Sequence, residues 1–298
     1  MKIGGFLHLI RWKNLALLLY IQLVLKLIFF NRFLTETNLT TLQFSILVSA
    51  IILVTAAGYI INDVFDIKTD LVNKPKKVIV SKIFSIEDAK RYYLITNCLG
   101  ITLGIGLSLN IQKPPYALFF IGAPLLLYYY SKKLKGIPLI GNISVSILIA
   151  ISILIIALFD VPLQNNFFIF KTIYLLIGFA FFLNLIREII KDIEDIKGDY
   201  NSNIKTLPIL IGIERTKKIA SLLCLFPLTL LLILVFNFAS IYKITMLYLS
   251  LFSILPLLYF MIKLPKATTK KKLNNLSTLL KTCMFLGISS LILFSLNN

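Results

Sequence analysis

Residues 42–70 read LQFSILVSAIILVTAAGYIINDVFDIKTD. Positions 42–61 are almost wholly apolar, and about twenty such residues carry a helix across a bilayer core. Three aspartates then follow at once: Asp63, Asp66 and Asp70. The same juxtaposition returns where the apolar run 167–186 passes into REIIKDIEDIKGD, residues 187–199. Asp192, Asp195 and Asp199 repeat the Asp-x-x-Asp-x-x-x-Asp spacing, and Asp-Ile-Lys-x-Asp recurs at 66–70 and 195–199. Positions i, i+3 and i+7 share one helical face, so each triad is expected to form a carboxylate stripe continuing from the end of a span. Glu188 extends the second stripe by one turn.

Seven further apolar runs have spanning length or close to it: 15–30, 92–109, 116–130, 139–159, 219–236, 244–262 and 276–296. Of 298 residues, 58% are hydrophobic and 15% charged, and the mean hydropathy is +0.89, far from the balance of a soluble domain. The expected fold is all-α and polytopic, about nine transmembrane helices in a single membrane-embedded domain over 1–298, with the aspartate motifs as an internal repeat.

A formal charge of +18 invites a nucleic-acid reading, but the placement of the 31 Lys and Arg excludes it. Twenty-five fall in alternate connections, around residues 2–13, 68–91, 132–135, 187–218 and 263–272. The opposite connections hold only Lys26, Arg32, Lys113, Lys171 and Lys243, and Lys281 lies just inside the last run. The basic side is the cytoplasmic one by the positive-inside rule, which places the N-terminus and both aspartate motifs inside and Asn298 outside. No cleavable signal is read in the first run, which lacks a small-residue cleavage site. Cys98, Cys224 and Cys283 sit in apolar runs without metal-like spacing, and His8 beside Arg11 and Trp12 reads as interfacial.

Only 13 residues are acidic, and the two motifs gather most of them. Aspartates that merely offset nearby lysines are the simpler reading of either motif alone. Matched spacing on one side favours chemistry, because carboxylates at membrane-proximal helix ends are costly. Hard oxygen ligands on a rigid face suit Mg²⁺ together with an anionic substrate. Lys74, Lys76 and Lys77 follow the first motif, Lys205 the second, and Arg187 and Lys191 lie within it. The turn at 128–133 offers Tyr128 with Lys132 and Tyr129 with Lys133 at i, i+4, although an aromatic belt with a basic flank produces the same letters. A secondary transporter is the competing class, but its site belongs at the bilayer midplane, where this chain has almost no charge.

These residues resemble the UbiA superfamily of intramembrane prenyltransferases over nearly the whole chain. Asn62-Asp63-x-x-Asp66-x-x-x-Asp70 is similar to its first signature and Asp192-x-x-Asp195-x-x-x-Asp199 to its second. Tyr128 and Tyr129 with Lys132 and Lys133 resemble its Tyr-x-x-x-Lys turn, Asn14 its first-helix asparagine and Asn142 a frequent fifth-helix asparagine. Residues 187–199 with Lys205-Thr206-Leu207-Pro208 most resemble the digeranylgeranylglyceryl phosphate synthase-like branch. Lys76 and Lys77 stand where that family leads one to expect an arginine, and lysine gives up bidentate phosphate geometry.

The resemblance implies a UbiA-type bundle that transfers a prenyl group from a polyprenyl diphosphate to a lipid acceptor, or to an aromatic one, within the membrane. It implies Mg²⁺ held by Asp63, Asp66, Asp70, Glu188, Asp192, Asp195 and Asp199. Asp63, Asp66, Asp192, Asp195, Lys132 and Lys133 would be catalytic. Asn14, Asn62, Lys74, Lys76, Lys77, Tyr128, Tyr129, Asn142, Arg187, Lys191 and Lys205 would bind substrate. The isoprenoid tail would lie in an apolar chamber between helices, and Ala56, Ala57 and Gly58 would allow close packing beside it.

Overall fold

A computed structural model describes residues 2–162 and 166–296; Asn165 and Asn298, which the charge pattern places on the outer side, lie outside these residues. Helices α1 (Lys2–Leu9), α2 (Trp12–Phe33), α3 (Thr41–Phe65), α4 (Ile67–Asn73), α5 (Ile86–Asn110), α6 (Ala117–Lys132), α7 (Ile140–Asp160), α8 (Phe167–Asn201), α9 (Ile213–Phe238), α10 (Lys243–Lys263) and α11 (Lys270–Leu296) form the chain. Among the described residues there is no strand, only an isolated bridge between Val80 and Phe84.

Among the described residues eight helices, α2, α3, α5 and α7–α11, are long and apolar enough to cross a membrane. The run at 116–130 gives a shorter helix. Pro114 and Pro115 open it with a 3-10 turn, leaving α6 with 16 residues, a rise of about 24 Å. The expected nine is therefore eight full spans and one helix shorter than the bilayer core.

Local sequence sets the ends. Thr40 and Gln43 close a reciprocal capping box at the start of α3, and the Ser85 side chain accepts from the Asp88 amide at the start of α5, each satisfying an orphan N–H. Arg11 adopts φ 51° between α1 and α2. That left-handed residue separates α1 from α2, and α1 packs against α3 and, through Phe6, against Tyr92 of α5. The first aspartate motif is not one continuous stripe: α3 ends at Phe65, Asp66 sits at the joint with φ −87° and ψ 1°, and α4 resumes at Ile67. The second motif lies wholly on α8.

The core is apolar, with Phe29, Phe30, Leu47, Ile156, Phe159 and Leu183 fully buried. The outer surface is apolar too, with Phe236, Leu118, Leu222 and Ile262 exposed. An apolar exterior around an apolar core is the pattern of a protein solvated by lipid.

One buried ion pair lies far from the aspartate motifs. Lys26, within a π-helical segment of α2, donates to Asp160 (2.9 Å), Thr37 (2.8 Å) and the Leu39 carbonyl (3.2 Å). Asp160, 0% exposed, also accepts from the Leu39 amide at 3.0 Å. The pair ties the α2–α3 connection to the end of α7 and closes that end of the bundle. Removing one partner of such a pair strands a buried charge, at about 3–5 kcal/mol. Lys26→Met is expected to lower unfolding stability in detergent by that order, and Lys26→Met with Asp160→Leu to recover most of it. Equal stability of wild type and Lys26→Met would show that the clasp holds nothing.

Candidate active site

Where the ends of α3, α4 and α8 meet, a basin of about 1090 Å³ opens. Eight of the chain's 13 acidic residues line it, with ten Lys and Arg. The two motifs face each other across it, because α4 packs on the end of α8 through an interlock of side chain and backbone. Asn73 donates to the Asp195 carbonyl (2.8 Å) and accepts from the Gly198 amide (2.9 Å), and Thr69 bonds Ser202 at 3.0 Å. Gly198 is required by this approach: a Cβ there would stand 2.7 Å from the Thr69 carbonyl oxygen and closer still to the Asn73 amide.

Most of the motif carboxylates are held by a nitrogen donor. Arg11 donates to Asp63 at 2.8 Å, Lys135 to Asp66 at 2.5 Å and Asn142 to Asp192 at 2.8 Å. Lys74 donates to Asp195 at 2.5 Å, and Lys270 reaches the same carboxylate at 3.3 Å. Glu188 accepts from Lys191 (2.6 Å) and Arg187 (3.2 Å). Asn62 donates to Asp66 at 2.7 Å. Burial, and then the neighbouring Asp66 carboxylate, push the Asp70 carboxyl above the usual carboxylate range. Burial works to neutralise Lys135, but Asp66 and then Tyr130 outweigh it and hold the ammonium above its ordinary value. Among the described residues no three acids converge at metal-binding distance.

A second cavity, about 220 Å³ and mostly apolar, runs from the basin into the bundle between α2, α3, α6 and α7. Leu17, Ile21, Val54, Phe120, Ile151 and Ile155 are among its walls. Arg11, Asn62, Tyr130, Glu188, Lys191 and Lys281 line both cavities and mark the neck between them. Gly58 allows the packing expected of it, since a Cβ there would press within 2.8 Å of Leu127 on α6.

The structure thus brings both triads, Glu188, Asn62, Lys74, Lys76, Lys77, Arg187 and Lys191 to the basin and Asn14 to the chamber. Asn142 stands behind Asp192. Besides Asn142, five of the expected site residues lie outside both cavities. Tyr128, Tyr129, Lys132 and Lys133 line neither cavity: Tyr128 packs edge-on against Phe65 with the Lys132 ammonium 5.7 Å over its ring, and Tyr129 is 55% exposed. The i, i+4 pairing of Tyr128 with Lys132 holds on α6, but that face of the helix lies away from both cavities, and the 3-10 turn Leu134–Gly136 follows. Lys135 and Tyr130 enter the site instead. Lys205 is exposed beyond the end of α8, outside both cavities. Arg11 and Lys135 were legible only as members of the basic belt; Lys281 had a signal of its own, a cation one step inside an apolar span.

A buried-neck chamber of apolar walls, opening at membrane-proximal helix ends onto a basin of paired acids and cations, defines an intramembrane enzyme for an anionic, lipid-tailed substrate. The UbiA prenyltransferase family model matches residues 27–287. The chain is 34% identical over 227 residues to the digeranylgeranylglyceryl phosphate synthase of Sulfurisphaera tokodaii, covering 75% of this chain and 78% of that one. It is 33% identical over 238 residues to the synthase of the same name from Methanobrevibacter smithii, covering 80% and 82%. A solved structure concerning digeranylgeranylglyceryl phosphate synthase in membranes superposes with a TM-score of 0.69 at 25% identity, covering 100% of this chain and 99% of that one. A UbiA homologue from Archaeoglobus fulgidus, bound to GPP and Mg²⁺, shares the fold with a TM-score of 0.62 at 17% identity, covering 96% and 99%. The chain belongs to the UbiA prenyltransferase family and is a multi-pass integral membrane transferase.

The interlock between α4 and α8 makes a distinct claim. Gly198→Ala is expected to lower turnover about 100-fold, the effect of displacing one motif by about an ångström, at a stability cost of only about 1–3 kcal/mol. Asn73→Ala should act in the same direction. Full activity in both would show that the spacing of the motifs is not set at this contact.

Proposed function

We propose that this chain joins a geranylgeranyl group, taken from its diphosphate, to the free hydroxyl of a geranylgeranylglyceryl phosphate, releasing pyrophosphate. The observation that carries the reading is the shared neck: residues of both aspartate motifs line a polar basin that opens directly into an apolar chamber. A substrate with an anionic head and an isoprenoid tail fits across that neck. The relatives' shared name supports the acceptor, because digeranylgeranylglyceryl phosphate is a glyceryl phosphate carrying two such chains.

The donor set fits magnesium. Carboxylates from α3, α4 and α8 face one another across the basin, Asp70 and Asp199 without an ion-pair partner among the described residues, and Mg²⁺ prefers one or two carboxylates completed by substrate phosphates. Asp63, Asp66, Asp70, Asp192, Asp195 and Asp199 are the proposed ligands, with Glu188 a turn deeper. When bound, the metal neutralises the diphosphate and stabilises it as a leaving group. Lys74 and Lys135, released from their carboxylates, would donate charge-assisted hydrogen bonds to the phosphate oxygens as charge develops there. Asn142 keeps Asp192 in orientation. The apolar chamber walls exclude water from the allylic carbon, so the acceptor hydroxyl forms the new C–O bond as the old one breaks and its proton is released to the basin.

We place the basin on the cytoplasmic side, as the segregation of lysine and arginine directs. Lys205→Cys should then label only from the cytoplasmic face and Lys243→Cys, on an outer connection, only from the opposite one. Labelling of both from one face would contradict the assignment.

The function is tested by incubating purified protein with labelled geranylgeranyl diphosphate and geranylgeranylglyceryl phosphate. A base-stable ether product is expected, lost with EDTA and restored by Mg²⁺. Asp63→Asn and Asp192→Asn should each cut turnover by about 100-fold or more while the protein stays folded. Efficient prenylation of 4-hydroxybenzoate with no turnover of the glyceryl phosphate would overturn the acceptor assignment.

A further inference from the structure

Helix α11 takes no part in either aspartate motif, yet one of its faces lines the basin. Lys270, Asn274, Ser277, Thr278 and Lys281 recur at helical spacing along it, descending from the rim to the neck. No acid lies on that face. At its lower end Lys281 lines both cavities.

Lys281 differs from the other cations of the neck. Arg11 is paired with a motif carboxylate and Lys191 with Glu188, whereas Lys281 has no carboxylate partner among the described residues and donates at 2.6 Å to the Asn14 side-chain oxygen. Arg187, also a cation, lines the same two cavities. Among the described residues the Asn14 side-chain amide nitrogen has no partner, and the Arg187 Nε is buried without one, although its Nη1 is paired with Glu188 at 3.2 Å. One turn above Lys281, the buried Ser277 hydroxyl also has no partner among the described residues. Cations gathered beside unused donors call for an anion.

We propose that Lys281, with Asn14 and the Arg187 Nε, forms a subsite for the phosphate of the prenyl acceptor, separate from the site of the donor's diphosphate. The inference rests on the proposed function and assigns one of its two phosphate-bearing substrates to a place. Two considerations separate the sites. The donor's diphosphate requires the metal-binding carboxylates of α3, α4 and α8, and Lys281 projects from a different helix and touches none of them. A phosphomonoester held without metal needs donors and cations free of competing carboxylates, which the Lys281 end of α11 supplies. Its position at the neck also directs the acceptor: a phosphate anchored there places the glycerol hydroxyl beside the opening of the apolar chamber, where the allylic carbon of the donor lies.

The experiment compares two acceptors, geranylgeranylglyceryl phosphate and geranylgeranylglycerol, in wild type, Lys281→Met and Lys281→Arg, recording kcat/KM for each acceptor and KM for geranylgeranyl diphosphate. Loss of a charge-assisted hydrogen bond corresponds to about 10-fold or more in affinity. Wild type should prefer the phosphorylated acceptor by at least that factor. Lys281→Met should lose the preference by raising KM for the phosphorylated acceptor alone, with donor KM unchanged, and Lys281→Arg should restore it. An unchanged preference in Lys281→Met, or a rise in donor KM in place of acceptor KM, overturns the subsite. Wild type that turns over neither glyceryl acceptor overturns the proposed function, and the subsite with it. Should Lys281→Met not fold, Ser277→Ala, which removes only a hydroxyl of the same face, is expected to weaken the same preference and no other constant.

Discussion

Like charges crowded at the edge of a low-dielectric bundle repel strongly, and the structure is arranged around that repulsion. Two carboxylates 4 Å apart oppose each other by about 4 kcal/mol at an effective dielectric of about 20, a large share of a total stability of about 5–15 kcal/mol. Eight acids line one basin. The chain offsets them with cations drawn from every side: Arg11 from the α1–α2 joint, Lys74 after α4, Lys135 from the turn after α6, Lys191 within α8 and Lys270 from α11. Helices distant in sequence are thus drawn to one point by charge, while the apolar core below them packs independently.

In the proposed mechanism each ammonium that neutralises a carboxylate would become a phosphate ligand once divalent metal took that carboxylate, so one set of side chains would serve both states. The spacing of the two motifs must be held by contacts that do not themselves titrate. Asn73, Gly198, Thr69 and Ser202 provide them through neutral hydrogen bonds and close backbone packing. At the far end, Lys26 and Asp160 close the bundle with the one strongly buried ion pair among the described residues. The chamber between these ends is left apolar and narrow, as capture of a reactive allylic carbon by anything but water requires.

Much of this was legible in the sequence, for physical reasons. Spans follow from the length of apolar runs, and the repeated acid spacing marks the two helix ends that face the basin. Spacing does not record which way a helical face points. Tyr128 and Lys132 obey the i, i+4 rule and meet in cation–π contact, but they pack on Phe65 apart from both cavities, and the turn after α6 brings Lys135 to the basin. The first motif likewise bends at Asp66, which no spacing rule records. Arg11 reaches Asp63 only because of a left-handed backbone at its own position, and the asparagine clamp at Asn73 depends on tertiary contact with a helix more than a hundred residues away.

The central claim is that both motifs act on one diphosphate whose tail occupies the apolar chamber. Anomalous diffraction from crystals grown with Mn²⁺ and a non-reacting thio analogue of geranylgeranyl diphosphate tests it most directly. Metal peaks touching both Asp63 or Asp66 and Asp192 or Asp195, with the chain passing the neck toward Phe120 and Ile155, are the expected result. Metal on one motif only, or a prenyl chain lying outside the bundle, would contradict the account.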